Sequence, residues 1–174
     1  CVQILADLYD VTHIINTGVA GSLNPALDIG DILVSKDAIQ HDMDVTPLGY
    51  AKGQIPGLEQ LAFAADEKLC KTAVEVCKKV NPDIHVTEGR VVSGDQFISS
   101  KEIKDALIAE FHPDCTEMEG ASIAQAAALN NIPYVVIRAI SDKADGSAQE
   151  DYPTFEKKAA EHCAKLVQEM MKEL

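Results

Sequence analysis

The chemistry-bearing residues of this chain gather where apolar runs end. Tyr134-Val-Val-Ile-Arg-Ala-Ile-Ser-Asp142 follows a proline and is apolar and β-branched almost throughout, the pattern of a strand buried on both faces. It ends on Ser141 and Asp142, with Lys143 to Gly146 following as loop. Aspartate is disfavoured in strands and costly to bury unpaired, and ligands of open α/β sheets bind at the carboxyl ends of strands. Asp142 is therefore read as a ligand-facing carboxylate. Glu117-Met118-Glu119-Gly120 sets two more acids at another strand end. Two residues apart, they are expected to point to opposite faces, one entering a cleft and the other pairing elsewhere. Arg138 is the expected buried partner of Glu117, because a buried guanidinium needs a carboxylate. Glu119 has no obvious partner, and a carboxylate can grip a sugar diol through two hydrogen bonds.

Gly18-Val19-Ala20-Gly21 follows a third apolar run and reads as a small-residue loop extending to Ser22. No Lys-Ser/Thr follows these glycines and no third glycine opens a helix, so neither phosphate-loop pattern is met. Two readings stay open: bare backbone approaching a flat, neutral ligand, or a plain tight turn. His41-Asp42-Met43-Asp44 has the composition of a metal cluster but too few oxygen donors in one compact loop, and a solvated turn is expected. His13, His85, His112 and His162 are scattered, and no nucleophile elbow is present. Five cysteines without C-x-x-C spacing point to reduced thiols, with Cys70 and Cys77 facing the core as small hydrophobes.

The elements that must hold these residues alternate in type. A helix over 1–8 precedes a strand over 11–16, then a strand over 31–40 and a long loop from His41 to Gly57. A long amphipathic helix is expected from Leu58 to Val80, and a strand from His85 to Ser93. A helix capped by Ser99 or Ser100 runs to Phe111. A short strand over 115–118, a helix over 120–129 and the strand over 134–142 follow. Pro153 is placed near the first turn of a last helix that reaches Leu174. Strands alternating with helices predict an α/β fold, a central mixed β-sheet flanked by helices, in a single domain over residues 1–174. Its three unusual strand ends are expected to converge. A net charge of −13 excludes broad nucleic-acid or anionic-membrane binding, and no apolar run is long enough to span a bilayer.

Five ordered motifs carry a resemblance that covers essentially the whole chain: Asn16-Thr-Gly-Val-Ala-Gly21, His41-Asp-Met-Asp-Val-Thr46, Ser93-Gly-Asp-Gln-Phe-Ile98, Glu117-Met-Glu-Gly120 and Arg138-Ala-Ile-Ser-Asp142. Together they resemble the 5′-methylthioadenosine/S-adenosylhomocysteine nucleosidases of the nucleoside phosphorylase superfamily. The resemblance implies a nucleoside phosphorylase-like fold and a cytoplasmic homodimer that cleaves adenine from thio-substituted ribose with water, using no metal or organic cofactor. Its partners are then small thioadenosine nucleosides, and its place is methionine salvage. Asp142 matches the general acid that protonates adenine N7, with Ser141 orienting it. Glu119 matches the acid that holds the ribose hydroxyls, Met118 packs beneath the ribose, and Glu117 is counted with them among the substrate-binding residues. Phe97 and Ile98 match the adenine site, while Val19, Ala20 and Gly21 approach sugar and base. Tyr152 matches an aromatic at the thioalkyl end. Val45, Leu48, Tyr50 and Pro56 match residues lent across a dimer interface.

Two departures bear on activity. One branch of the superfamily's phosphorylases binds phosphate with an Arg and a Ser in the segment that here carries Asn16 and Val19, so hydrolysis is favoured over phosphorolysis. The family also opens with further strands, the first bearing a Glu that activates water. Nothing here matches it, and the uncapped helix at Cys1 predicts an N-terminally incomplete domain. Without that base the rate is expected to fall by about 10²-fold or more.

Overall fold

The computed structural model describes every residue except Gly146, and within the last helix it leaves out the side chains of Gln149, Glu150, Asp151, Pro153 and Glu156. The sequence expectation for Pro153 thus falls on a side chain outside the described residues. In chain order the elements are α1 (Val2–Leu8), β1 (Ile14–Ser22), β2 (Ile32–Gln40), a 3-10 turn (Thr46–Leu48), β3 (Phe63–Ala64) and α2 (Glu67–Val80). Then come β4 (Val86–Ser93), α3 (Lys101–Phe111), β5 (Cys115–Glu117), α4 (Gly120–Leu129), β6 (Tyr134–Asp142) and α5 (Ala148–Met170).

The sheet is mixed. Its order is β3-β2-β4-β5-β1-β6, and a further β2–β6 pairing closes five of the six strands into a ring. β1–β6, β2–β4 and β4–β5 are parallel, whereas β1–β5, β2–β3 and β2–β6 are antiparallel. β6 is the axis of this arrangement, and all nine of its residues are buried. Alternation divides its side chains between two layers. Val135, Ile137 and Ala139 face α2 and α5, packing with Leu69, Ala73, Val76, Leu166 and Met170. Tyr134, Val136 and Ile140 face the opposite layer, where Ala121, Ala124 and Ala127 of α4 let that helix lie close to the strands. Arg138 and Asp142 share the even-numbered parity of this second set. A strand apolar on both faces thus carries two charged groups on one of them.

Two expectations fail. The residues Thr17 to Ser22 are not a loop, because β1 runs to Ser22 and pairs with β6 from Ile14 to Gly21, with a register shift after Ala20. Nor does a helix begin at Leu58. Phe63 and Ala64 instead pair with Ala38 and Asp37 of β2, and the Phe63 side chain is buried. The helix starts after Asp66, whose carboxylate accepts the Leu69 N–H at 2.9 Å, satisfying one of the otherwise orphan donors of the first turn. Glu67 in the first turn and Lys78 and Lys79 in the last complement the helix dipole.

Candidate active site

β1, β5 and β6 end around one cavity of about 760 Å3, completed by the segment after β4 and by Tyr152 of α5. Asp142 and Glu119 both line it, as do Val19, Ala20, Gly21, Phe97, Ile98, Glu117, Met118, Ser141 and Tyr152. Phe97 and Met118 are large apolar side chains left exposed there. Phe97 also meets Tyr152 edge-on, with ring centroids 6.0 Å apart and planes at 86°, a favourable aromatic geometry.

The glycines of β1 make room for charge. β1 and β6 pair so that Gly18 lies beside Arg138 and Gly21 beside Asp142. A Cβ at Gly18 would overlap the Arg138 guanidinium, and one at Gly21 would sit 2.7 Å from Asp142 Oδ1 and 2.9 Å from Ala144 Cβ. These residues therefore act as spacers within a strand, which corrects both the tight-turn reading and the loop assignment. The spacing alone did not reveal this, because a register shift after Ala20 sets Gly21, and not Ser22, opposite Asp142.

Asp142 is 2 % exposed, and both its carboxylate oxygens are engaged. Ser141 Oγ donates to Oδ2 at 2.9 Å, and the Ala144 N–H donates to Oδ1 at 2.8 Å. Ala144 reaches this position with φ at 49°, in the left-handed region that costs a non-glycine residue about 1 kcal/mol. The chain after β6 is thus bent back to grip the carboxylate.

The two glutamates do not point to opposite faces, although one pairs and the other enters the cleft as expected. Residues two apart in a strand share a face, and here β5 stops at Glu117 so that Glu119 becomes the residue before α4. Both approach Arg138, Glu117 in direct contact and Glu119 at 3.6 Å. Glu117 is buried and fully committed: Arg138 and the Ser93 hydroxyl donate to it, as do the Glu119 N–H at 3.1 Å and the Gly120 N–H at 2.8 Å. It combines a buried ion pair with the anion site of a helix N-terminus. The Glu119 side chain is 65 % exposed. One acid is structural and the other faces the cavity.

Arg138 also donates to Asn16 Oδ1 at 2.6 Å. Among the described residues that line the cavity it is the sole cation, and it is held by Glu117 and Asn16. Sequence reasoning missed Ser93, which accepts the Ala121 N–H at 2.7 Å while donating to Glu117. A buried serine at a strand end beside Gly94 was the available clue.

The motif His41 to Asp44 forms a turn. Asp44 accepts from the Thr46 N–H at 3.1 Å and hydroxyl at 2.8 Å, which holds its carboxyl below the ordinary range. Val45, Leu48, Tyr50 and Pro56 lie on the following loop, outside the cavity lining. Leu48 and Pro56 are exposed, and Val45 and Tyr50 half-buried. Among the described residues no cluster of three or more His, Cys, Asp or Glu could hold a metal, and no helix is long and apolar enough to cross a membrane.

Comparisons with known proteins agree with this geometry. The phosphorylase superfamily profile matches residues 1–172. A 5′-methylthioadenosine/S-adenosylhomocysteine nucleosidase of Anoxybacillus flavithermus is 41% identical over 173 residues, covering 98% of this chain and 73% of its own. The solved nucleosidase of Neisseria meningitidis in complex with methylthio-immucillin-A superposes with a TM-score of 0.94 at 37% identity, over 99% of this chain and 74% of that one. A futalosine hydrolase of Helicobacter pylori is similar too, with a TM-score of 0.92 at 37% identity over 99% of this chain and 73% of that one. The chain belongs to the phosphorylase superfamily and, within it, to the 5′-methylthioadenosine/S-adenosylhomocysteine nucleosidases.

Proposed function

We propose that this chain is an N-glycosyl hydrolase that releases adenine from 5′-methylthioadenosine and S-adenosylhomocysteine, leaving the thio-substituted ribose. The observation that carries the reading is the meeting of Asp142 and Glu119 in one cavity walled by Phe97, Ile98 and Met118. Departure of adenine leaves positive charge on the sugar, so the barrier falls when the leaving base is protonated and the sugar cation is stabilised. Asp142 supplies the proton to adenine N7, with Ser141 fixing its orientation. Glu119 holds the ribose 2′- and 3′-hydroxyls, and its charge favours the sugar cation. Met118 packs under the ribose, beside the Glu117 pair that braces this end of the sheet. Phe97 stacks on the base, and the backbone at Ile98 reads its edge. Val19, Ala20 and Gly21 bring uncluttered strand backbone to sugar and base, and Tyr152 borders the 5′-substituent.

Water, and not phosphate, is the acceptor in this reading. Asn16 and Val19 bring neither cation nor hydroxyl to the segment where phosphorylases hold phosphate, and Arg138 is engaged by Glu117. We further propose that the protein works as a cytoplasmic homodimer in methionine salvage. Val45, Leu48, Tyr50 and Pro56 then complete the 5′ pocket of the second copy.

The test is adenine release from 5′-methylthioadenosine, followed by ultraviolet absorbance with and without phosphate. It is run on this chain and on one extended by the opening segment of its relatives. Release independent of phosphate is expected; a strict phosphate requirement would transfer the chain to the phosphorylases. The likeness to a futalosine hydrolase supports a second reading, in which the 5′ end accepts a larger substituent. Hydrolysis of futalosine faster than of methylthioadenosine would favour it.

A further inference from the structure

His41 and Asp42 take no part in the chemistry above, yet they are built into the wall behind the base-binding segment. The His41 side chain is buried, and its Nε2 finds no hydrogen-bond partner among the described residues. Burial holds its pKa below the ordinary value even though Asp42 and Glu117 pull it up. The ring is thus packed into the wall and not solvated. It lies on the bare backbone of Gly94, where an added Cβ would sit 2.5 Å from His41 Cε1, 2.6 Å from Nε2 and 3.0 Å from Asp42 Cγ.

Two hydrogen bonds lock the same junction. The His41 N–H donates to the Ser93 carbonyl at 2.9 Å, and the Asp95 N–H donates to Asp42 Oδ2 at 2.9 Å. Asp95 is exposed and is followed by Gln96, Phe97 and Ile98, all of which line the cavity. Behind it, Gly94 donates its N–H to the Glu117 carbonyl at 3.2 Å. On the other side of the junction begins the loop that carries Val45, Leu48, Tyr50 and Pro56.

We propose that His41 and Asp42 are positioning residues, a clasp that fixes the segment Gly94–Ile98 against the start of the loop 41–57. Its effect is to set the place of Phe97 and the Ile98 backbone before a ligand arrives. The inference rests on the reading of this cavity as the base-binding site. Preorganisation of this kind changes the affinity for the base without touching the proton donor at Asp142.

The test uses adenine as the probe, with binding measured by calorimetry and hydrogen exchange followed at the amides of Asp95 to Ile98 in the unliganded protein. Asp42→Ala removes the acceptor, whereas Asp42→Asn keeps an oxygen for the Asp95 N–H. Asp42→Ala is expected to speed exchange across 95–98 and weaken adenine about 3- to 10-fold, the worth of one hydrogen bond. Asp42→Asn should restore both to within about twofold, since its amide oxygen accepts the same bond. Gly94→Ala, which pushes the His41 ring away, should reproduce the loss and carries the test alone if Asp42→Ala does not fold. Wild-type exchange and affinity in Asp42→Ala or Gly94→Ala would overturn the clasp, as would an Asp42→Asn protein as weak as Asp42→Ala. If the unaltered chain binds no adenine, the reading of the cavity fails. The exchange measurement, made without ligand, still judges the clasp independently.

Discussion

At the scale of single residues, the site divides its carboxylates by environment. Asp142 is gripped on both oxygens, Glu117 is locked into a buried pair, and Glu119 stays open to the cavity. The roles proposed for these acids separate in experiment. Asp142→Asn preserves shape and keeps one oxygen for the Ala144 N–H, but its amide is not an acid, so it is expected to lower adenine release by about 10²- to 10⁴-fold while leaving binding of an adenosine analogue near normal. Full activity in that variant would remove Asp142 from the mechanism. Glu117→Ala strands the Arg138 guanidinium in a dry site, and a loss of about 3–5 kcal/mol is expected in urea unfolding. A loss under about 1 kcal/mol would mean that Arg138 finds another partner. The acid at the mouth of a buried strand and its pairing problem were readable from residue types alone. The fate of Glu119 was not, because it depends on where β5 stops, and a two-residue spacing was misread as opposite faces.

At the scale of elements, periodicity located what packing enforces. β6 and α4 were legible to the residue, since an unbroken apolar run and an alanine-rich stripe each admit one solution here. β1 was cut short because Thr17 to Gly21 lacks large side chains and mimics a loop. The β6 pairing across it, and the charged side chains it must clear, appear only in three dimensions. The start of α2 was misplaced for a related reason, as two residues of β3 are set by pairing with β2 and not by their own pattern. The helices also fix the chemistry of the thiols. Cys70, Cys77, Cys115 and Cys163 are buried, and burial raises each thiol pKa, Cys70 to about 11. Cys1 alone is exposed. Since the thiolate is the reactive form, a disulfide-exchange reagent at pH 8 is expected to titrate one thiol quickly in the folded protein and all five after denaturation. Two or more fast thiols would contradict the packing of α2 and α5 against the sheet.

At the scale of the whole molecule, closure of the strands into a ring draws three strand ends to one mouth, and that convergence turns scattered motifs into a site. The loop from 41 to 57 leaves Leu48 74 % exposed. If that loop completes a second copy's pocket, Leu48→Glu should shift a dimer to monomer in sedimentation equilibrium. The expected loss is about 2 kcal/mol or more, roughly 30-fold in dissociation constant. A wild-type monomer, or an unaltered dimer in the variant, would refute the interface. In the proposed reaction adenine leaves and water takes its place on the sugar. The direct measurement is turnover of 5′-methylthioadenosine in ¹⁸O-labelled water with phosphate present, followed by mass spectrometry of the sugar product. One labelled oxygen at the anomeric carbon and no sugar phosphate are expected. An unlabelled sugar 1-phosphate, or no adenine at all, would contradict it.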